Sequence, residues 1–310
     1  MLNKKMMAMY LNTNRNIECL ALSKKFTTLR KVIGITPNNI NYTARNIRLV
    51  LFILAITLLN SAAFAQNGPA KIFIVCIDPG HGGSQPGTSG KFTKEKDITL
   101  KVALKLGKII EENASDIKVV YTRTTDKTLG LKERAQIANN NHADVFVSIH
   151  ANSLPDEVPD ARKQSIYGTE TYVLGLGRSK ESLDVAMREN AVILLEENYE
   201  EKYEGFDPNS PESYILFSLT HSANQESSIR LASLIEDQFG TRAGRKSRGV
   251  KQNIFQVLWE TAMPAVLVEI GYLSNTKEEK ELNDPQVQDY IASAIFRAIR
   301  DFKNEIESKK

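Results

Sequence analysis

Residues 72–77, Ile-Phe-Ile-Val-Cys-Ile, form a continuous apolar run rich in β-branched side chains, and the run ends at once in Asp78-Pro79-Gly80-His81-Gly82-Gly83. A run of that length and composition reads as a strand buried on both faces, the kind found inside a parallel sheet. Proline cannot donate to a ladder and glycine accepts turn dihedrals, so the strand stops sharply. His81 therefore sits just past the carboxyl end of a central strand, and in open α/β sheets that edge is where ligands bind. One histidine there is more often simply a hydrogen-bonded loop residue, so the weight falls on later placements of the same kind.

Those placements come from the pattern that follows. Glu95 opens a stretch to Ile110 whose apolar positions 98, 102, 106, 109 and 110 keep helical spacing. Ile117–Thr122 reads as a second strand, Leu131–Asn140 as a second helix, and Asp144–Ile149 as a third buried strand ending at His150-Ala151-Asn152. Alternating strands and helices at this spacing predict right-handed βαβ units. The expected fold is α/β: a single domain with a mixed, mainly parallel sheet and helices on both faces. Polar residues 153–166 read as a loop, Gly168–Leu174 as a strand nearer an edge, and Ser179 to about Glu200 as one long helix. Two further helical stretches are expected at about Glu212–Thr220 and Gln225–Phe239. Gln252–Leu258 and Pro264–Gly271 read as strands, and Asp284–Phe302 as a closing helix.

The front of the chain is different in kind. Residues 1–65 hold nine Lys/Arg and one acid, Glu18. Arg45 and Arg48 lead into the apolar stretch 49–59, which is followed by Ser61-Ala62-Ala63-Phe64-Ala65-Gln66. A basic region, an apolar region and an A-x-A signal in that order predict a leader cleaved after Ala65 and an exported product in the periplasm or cell envelope. Eleven residues are short for a membrane span of about 20, so no stable anchor is expected in the mature chain. The net charge of +3 belongs to this leader, since its +8 leaves −5 for residues 66–310. Nucleic-acid binding by the mature protein gains no support from charge. Cys19 lies in the leader and Cys76 is alone afterwards, so neither an internal disulfide nor a cysteine zinc site is available.

Glu269 interrupts the otherwise apolar Pro264–Gly271 run. An unpaired buried carboxylate is costly, so this residue is either one half of a buried ion pair or a functional group. His81 and His150 follow carboxyl ends of predicted strands, and Glu95 opens the helix that returns to the same edge. Two histidines and one glutamate are a known catalytic zinc set with a fourth position left for water, although imidazole and oxygen donors suit other metals too. Glu269 ends another strand at that edge and can serve as the base.

These stretches carry a family resemblance. Ile77–Gly83, Glu95-Lys96-Asp97, Ser148–Asn152 and Val268–Asn275 resemble, in order across about residues 71–303, the zinc-dependent N-acetylmuramoyl-L-alanine amidases of the bacterial cell wall. The resemblance implies Zn²⁺ on His81, Glu95 and His150, Glu269 as the catalytic carboxylate, and peptidoglycan as substrate. The bond implied is the amide between the lactyl group of N-acetylmuramic acid and L-alanine of the stem peptide. A wall-binding module without catalysis and a zinc peptidase cutting elsewhere in the stem peptide are the competing classes.

The segment at about 190–222 exceeds what a minimal member of such a family needs. Some relatives carry a helical insertion here that covers the zinc and is displaced by an activator. Its acidic run, Glu196, Glu197, Glu200 and Glu201, suggests an autoinhibitory lid that offers a carboxylate to the metal, against the plainer reading of a solvated helix face. His142 and His221 have no assigned partner. Arg134 is expected to anchor its helix to a carboxylate or carbonyl, and Asn152 either touches substrate or caps a turn. The basic cluster Arg242–Arg248 reads as a solvated loop or as a contact for an anionic polymer.

Overall fold

The computed structural model describes residues 72–219 and 223–309, together with Phe52. The leader expected over residues 1–65, Phe52 apart, and His221 lie outside them. Six strands make one sheet: β1 Phe73–Pro79, β2 Ile117–Tyr121, β3 Val145–Asn152, β4 Thr169–Leu174, β5 Ser247–Asn253 and β6 Ala265–Tyr272, in the order β2-β1-β3-β6-β4-β5. All neighbouring pairs are parallel except β4 with β6. The sheet is thus mixed and mainly parallel, as its apolar strand runs predict.

Each face of the sheet is covered. One carries α1 Glu95–Asn113, α7 Gln225–Thr241 and α10 Pro285–Ser308, which bury Val102, Leu106, Leu231, Ile235, Ile295 and Ile299 against Val75, Val147 and Val268. The other carries α2 Leu131–Asn140, α4 Lys180–Asn190 and α8 Gln256–Trp259, whose apolar residues close over Cys76, Phe146, Tyr172 and Leu267. Because strand side chains alternate between faces, the residues in phase with this second set are Asp78, Ser148, His150, Glu269 and Glu170. Toward the carboxyl edge, the second face changes from apolar to polar.

Several element boundaries differ from expectation. The long helix expected from Ser179 to Glu200 stops at Asn190, continues as 3₁₀ turns over Ala191–Leu195, and turns again at Asn198, whose φ is +55°. Only a short helix, α5 Tyr199–Lys202, follows, then α6 Pro211–Ser218. The polar stretch 153–166 contains α3 Asp160–Ser165, and α9 Thr276–Leu282 precedes the last helix. The strand expected at Gln252–Leu258 is shifted: the edge strand is the basic Ser247–Asn253, and Phe255, Val257 and Leu258 belong to a helical turn packed in the second core. A polar edge strand shows no apolar alternation, and here cross-strand ion pairs take its place. Arg248 and Lys251 both reach Glu170 on β4.

Arg134 anchors its helix to a carboxylate and to carbonyls at once. Its Nη1 donates to Asp78 Oδ1 and to the Pro79 carbonyl, each at 2.8 Å, and Nη2 donates to the His81 carbonyl at 2.7 Å. Burial alone would push the Asp78 carboxyl up, but Arg134 and the hydroxyls of Ser148 and Thr122 outweigh it and hold it below its ordinary value. Removing one partner of a fully buried pair strands the other charge, at a cost of about 3–5 kcal/mol. Arg134→Met is therefore expected to lower stability by about that amount in urea unfolding. A loss of less than about 1 kcal/mol would mean that Ser148 and Thr122 satisfy Asp78 unaided.

Candidate metal centre

The centre is assembled from three directions. His81 follows β1 with a φ of +58°, a left-handed conformation uncommon for a residue bearing a Cβ. The Arg134 bond to its carbonyl holds that turn. His150 lies in β3, one strand over, and the two imidazoles meet edge to face with centroids 4.9 Å apart. Gly80 makes this approach possible, because a Cβ there would run into the His150 ring. Glu95 is the first residue of α1. Its Oε2 accepts from the Thr88 backbone N–H at 2.8 Å, and its Oε1 accepts from that of Ala151 at 3.0 Å.

His81, Glu95 and His150, named from the sequence, come together, and a fourth side chain joins them. Glu189, in the last turn of α4, places Oε2 3.0 Å from His81 Nε2 and 2.9 Å from His150 Nδ1. Glu95 lies 3.2 Å from His81 Nε2 through Oε2 and 3.0 Å from His150 Nδ1 through Oε1. One donor atom from each of the four falls within 4.8 Å of every other, and all four residues are buried.

The charges interlock. Burial alone would push both imidazoles down, but the carboxylates outweigh it, Glu95 first for His81 and Glu189 first for His150, and both pKa values stand above the ordinary 6.5. In turn Glu95 is held down to about 2, against its own burial, chiefly by His81, and Glu189 lies well below its ordinary value through His150 and His81. The two carboxylates bring two negative charges into a buried pocket, which a divalent cation would balance. A tetrahedral zinc with donors at about 2.0–2.2 Å sets those donors about 3.4 Å apart. The four His–Glu separations of 2.9–3.2 Å are close to that spacing, and all four donors lie within 4.8 Å of one another. By donor type, number, charge and spacing, the residues fit such an ion.

Glu269 stands directly across from His150 in the β3–β6 register. It is fully buried, and neither carboxyl oxygen has a hydrogen-bond partner among the described residues. Burial, then the fields of Glu189 and Glu95, push its pKa well above the ordinary 4.5, against His150 and Arg188. The buried-ion-pair alternative is not what the geometry presents, since no cation among the described residues bonds it.

The acidic run supplies no member of the centre. Glu196 is tied to Lys202 and to the Tyr203 hydroxyl at 2.7 Å, and Glu197, Glu200 and Glu201 are exposed. The fourth carboxylate is Glu189, one residue before the segment singled out at 190–222. Density of acids is a poor guide because solvated helix faces are dense in acids too. The better signal was position: Glu189 shares the buried stripe of Ser182, Val185 and Ala186. Asn152 accepts at Oδ1 from Arg188 Nη2 at 2.7 Å and from the Ser153 backbone N–H at 2.8 Å. His142 is an exposed turn residue. Arg245 is buried against Glu278 and Glu281, so the basic cluster is not merely a solvated loop.

A mainly parallel sheet with this buried centre at its carboxyl edge, and an unpaired buried carboxyl beside it, defines a hydrolytic α/β enzyme domain. The chain matches the model of the N-acetylmuramoyl-L-alanine amidase family, Amidase_3, over residues 75–301. It therefore belongs to that family, whose substrate is peptidoglycan. It is 29% identical to N-acetylmuramoyl-L-alanine amidase AmiC of Escherichia coli O6:H1 over 76% of its own length and 56% of that protein's, so it spans little more than half of AmiC. The catalytic domain of CwlV, an N-acetylmuramoyl-L-alanine amidase from Bacillus (Paenibacillus) polymyxa var. colistinus, superposes with a TM-score of 0.54 at 32% identity, covering 75% of this chain and 98% of that one. The CwlD amidase from Clostridioides difficile, solved in complex with the GerS lipoprotein, superposes at 0.53 with 25% identity, covering 75% and 98%.

Proposed function

We propose that this protein is exported, holds zinc on His81, Glu95 and His150, and hydrolyses the amide between the lactyl group of N-acetylmuramic acid and L-alanine of the stem peptide. The observation that carries the reading is the four-residue centre, with a buried, unpartnered Glu269 one strand away. Bound zinc would act as a Lewis acid and lower the pKa of water to about 7. Glu269 takes the proton of the attacking water on a carboxyl oxygen and delivers it to the L-alanine nitrogen as the amide opens. A cation held in the centre would favour the ionised form of Glu269, the form that can accept this proton. Glu269 is fully buried, so bulk water does not reach its carboxyl.

In this reading α4 is an autoinhibitory element, and Glu189 occupies the donor position that substrate and water require. The helix is pinned on both sides of that residue. Arg188 donates to Asn152 Oδ1 and to the Ser153 carbonyl at 3.0 Å, while Asn190 bonds the Ile254 carbonyl and the Gln256 backbone N–H, each at 2.8 Å. The helical insertion that follows leaves Ile215, Leu216 and Leu219 exposed, an apolar surface suited to a protein activator. An activator binding the displaced insertion more tightly than the docked one shifts the two-state equilibrium toward the open form.

The test uses full-length chain and intact peptidoglycan. Glu189→Ala is expected to raise the basal rate by about ten-fold or more, since a charge-assisted contact of about 1.5–3 kcal/mol holds the closed state and each 1.4 kcal/mol is ten-fold. Mass spectrometry of the digest should find intact stem peptides released from uncut glycan. Stem peptides cut internally would show a peptidase, and no product with metal bound would show a wall-binding module.

A further inference from the structure

The polar row that begins at the centre does not stop at Glu269. In the antiparallel β4–β6 register Glu269 faces Glu170. Directly opposed residues share a face, with Cβ atoms about 4.5–5.5 Å apart. Glu170 is buried, yet it is crowded with donors: Arg248 Nε at 2.6 Å, Lys251 Nζ and the Tyr172 hydroxyl at 2.7 Å, the Tyr272 hydroxyl at 2.8 Å and Asn152 Nδ2 at 3.4 Å. One carboxylate thus meets two cations. Glu181, exposed at the start of α4, is the other acid whose field reaches Lys251.

Neither cation is sealed in. The Arg248 and Lys251 side chains keep 25% and 22% of their surface in water. The Arg248 guanidinium lies 5.5 Å from the centre of the Tyr272 ring, and Lys251 Nζ 5.9 Å from that of Tyr172. Arg248 is held through Nε, which leaves its terminal amino groups outside that bond. A guanidinium fixed from behind and supported by an aromatic face is pre-organised to grip a planar anion.

The distance suits a particular part of the substrate. Strands lie about 4.8 Å apart, so Glu170 is roughly 10 Å from His150 across two spacings. An extended peptide advances about 3.3–3.6 Å per residue, which brings the second or third residue after the scissile amide to this point. Building on the amidase reading, we propose that Arg248 and Lys251 form a subsite for a carboxylate of the stem peptide, with Glu170 beneath them as the positioning residue that fixes the guanidinium. The two sources of that carboxylate are the free α-carboxylate of a γ-linked D-glutamate at the second position and the side-chain carboxylate of a diaminopimelate at the third.

Calorimetry on the full-length, metal-loaded chain, with and without Glu189→Ala, separates them. The probes are L-Ala-γ-D-Glu-L-Lys, its isoglutamine amide, and the peptide with meso-diaminopimelate third. Removing the recognised carboxylate should weaken binding about ten-fold or more, the size of a charge-assisted bond, and the peptide that shows the drop identifies the source. In Arg248→Gln that ratio should fall to below about two, and Arg248→Lys should restore part of it. The ratio is the readout, so a closed α4 that weakens every peptide leaves it unchanged. Thermal melting checks that Glu170 is still accommodated, and Lys251→Gln, which keeps the Arg248–Glu170 bond, provides a second variant. The proposal is overturned if the Glu189→Ala chain binds all three peptides equally or not at all, or if adding Arg248→Gln to it weakens all three alike. Failure of the amidase reading is seen separately, as peptidoglycan that yields no stem peptides.

Discussion

Alanine in place of His81 or His150 is expected to remove metal and amide hydrolysis together. Each substitution deletes one of three proposed donors. With Glu189 displaced, as hydrolysis requires in this reading, only two protein donors remain for the ion. Losing only an outer-shell partner of a metal ligand costs about 10–100-fold in affinity or activity, so losing a donor should exceed that. Atomic spectroscopy of the purified variants should find metal well below one equivalent, and dye release from labelled peptidoglycan should fall to background. Circular dichroism must show a folded chain, because the second core and the Arg134–Asp78 pair are untouched. A variant that keeps one equivalent of metal and measurable turnover would refute the donor assignment.

Glu269→Gln should do the opposite to the metal and nearly the same to the rate. Glutamine matches the shape of the carboxyl but cannot take a proton. Metal content should stay at the parent level while turnover falls about 10²–10⁴-fold, the usual contribution of a positioned acid–base group. Stability supplies an independent check, and its sign is fixed by burial. The Glu269 pKa is raised well above 4.5 in the folded chain. Below its ordinary value the group is protonated whether folded or not and contributes no difference. As pH rises past that value the unfolded chain releases the proton while the folded chain retains it, so stability declines. The metal-free Glu269→Gln chain should therefore match the parent near pH 4 and melt at a higher temperature near pH 7. Near-full activity would remove Glu269 from the role of base, and equal melting at both pH values would mean that burial does not raise its carboxyl in the metal-free chain.

Much of this protein was legible before any coordinates, because it rests on local chemistry. Ile72–Ile77, Val145–Ile149 and Ala265–Ile270 are apolar runs that only a sheet buried on both faces can absorb. The residues that stop them, Pro79-Gly80 above all, put His81 at the carboxyl edge whatever else the chain does. Glu269 was conspicuous for the same reason, as a charge where the pattern demands none. What adjoins that edge was not local. The acids at 196–201 drew notice by number, yet Glu189 reaches the imidazoles because α4 ends over β3 and is held there by Asn152, Ile254 and Gln256. The basic stretch at Arg242–Arg248 reads as a solvated loop, and its last residue, Arg248, enters the edge strand and pairs with Glu170 on β4. Both outcomes depend on the order β3-β6-β4-β5, which brings residues about 80 to 120 positions apart into one row at the strand spacing of about 4.8 Å. Sequence alone determined which side chains were candidates for chemistry. Pairing between distant strands decided which of them share a face, because buried charges are stable only where the fold delivers a partner of opposite sign.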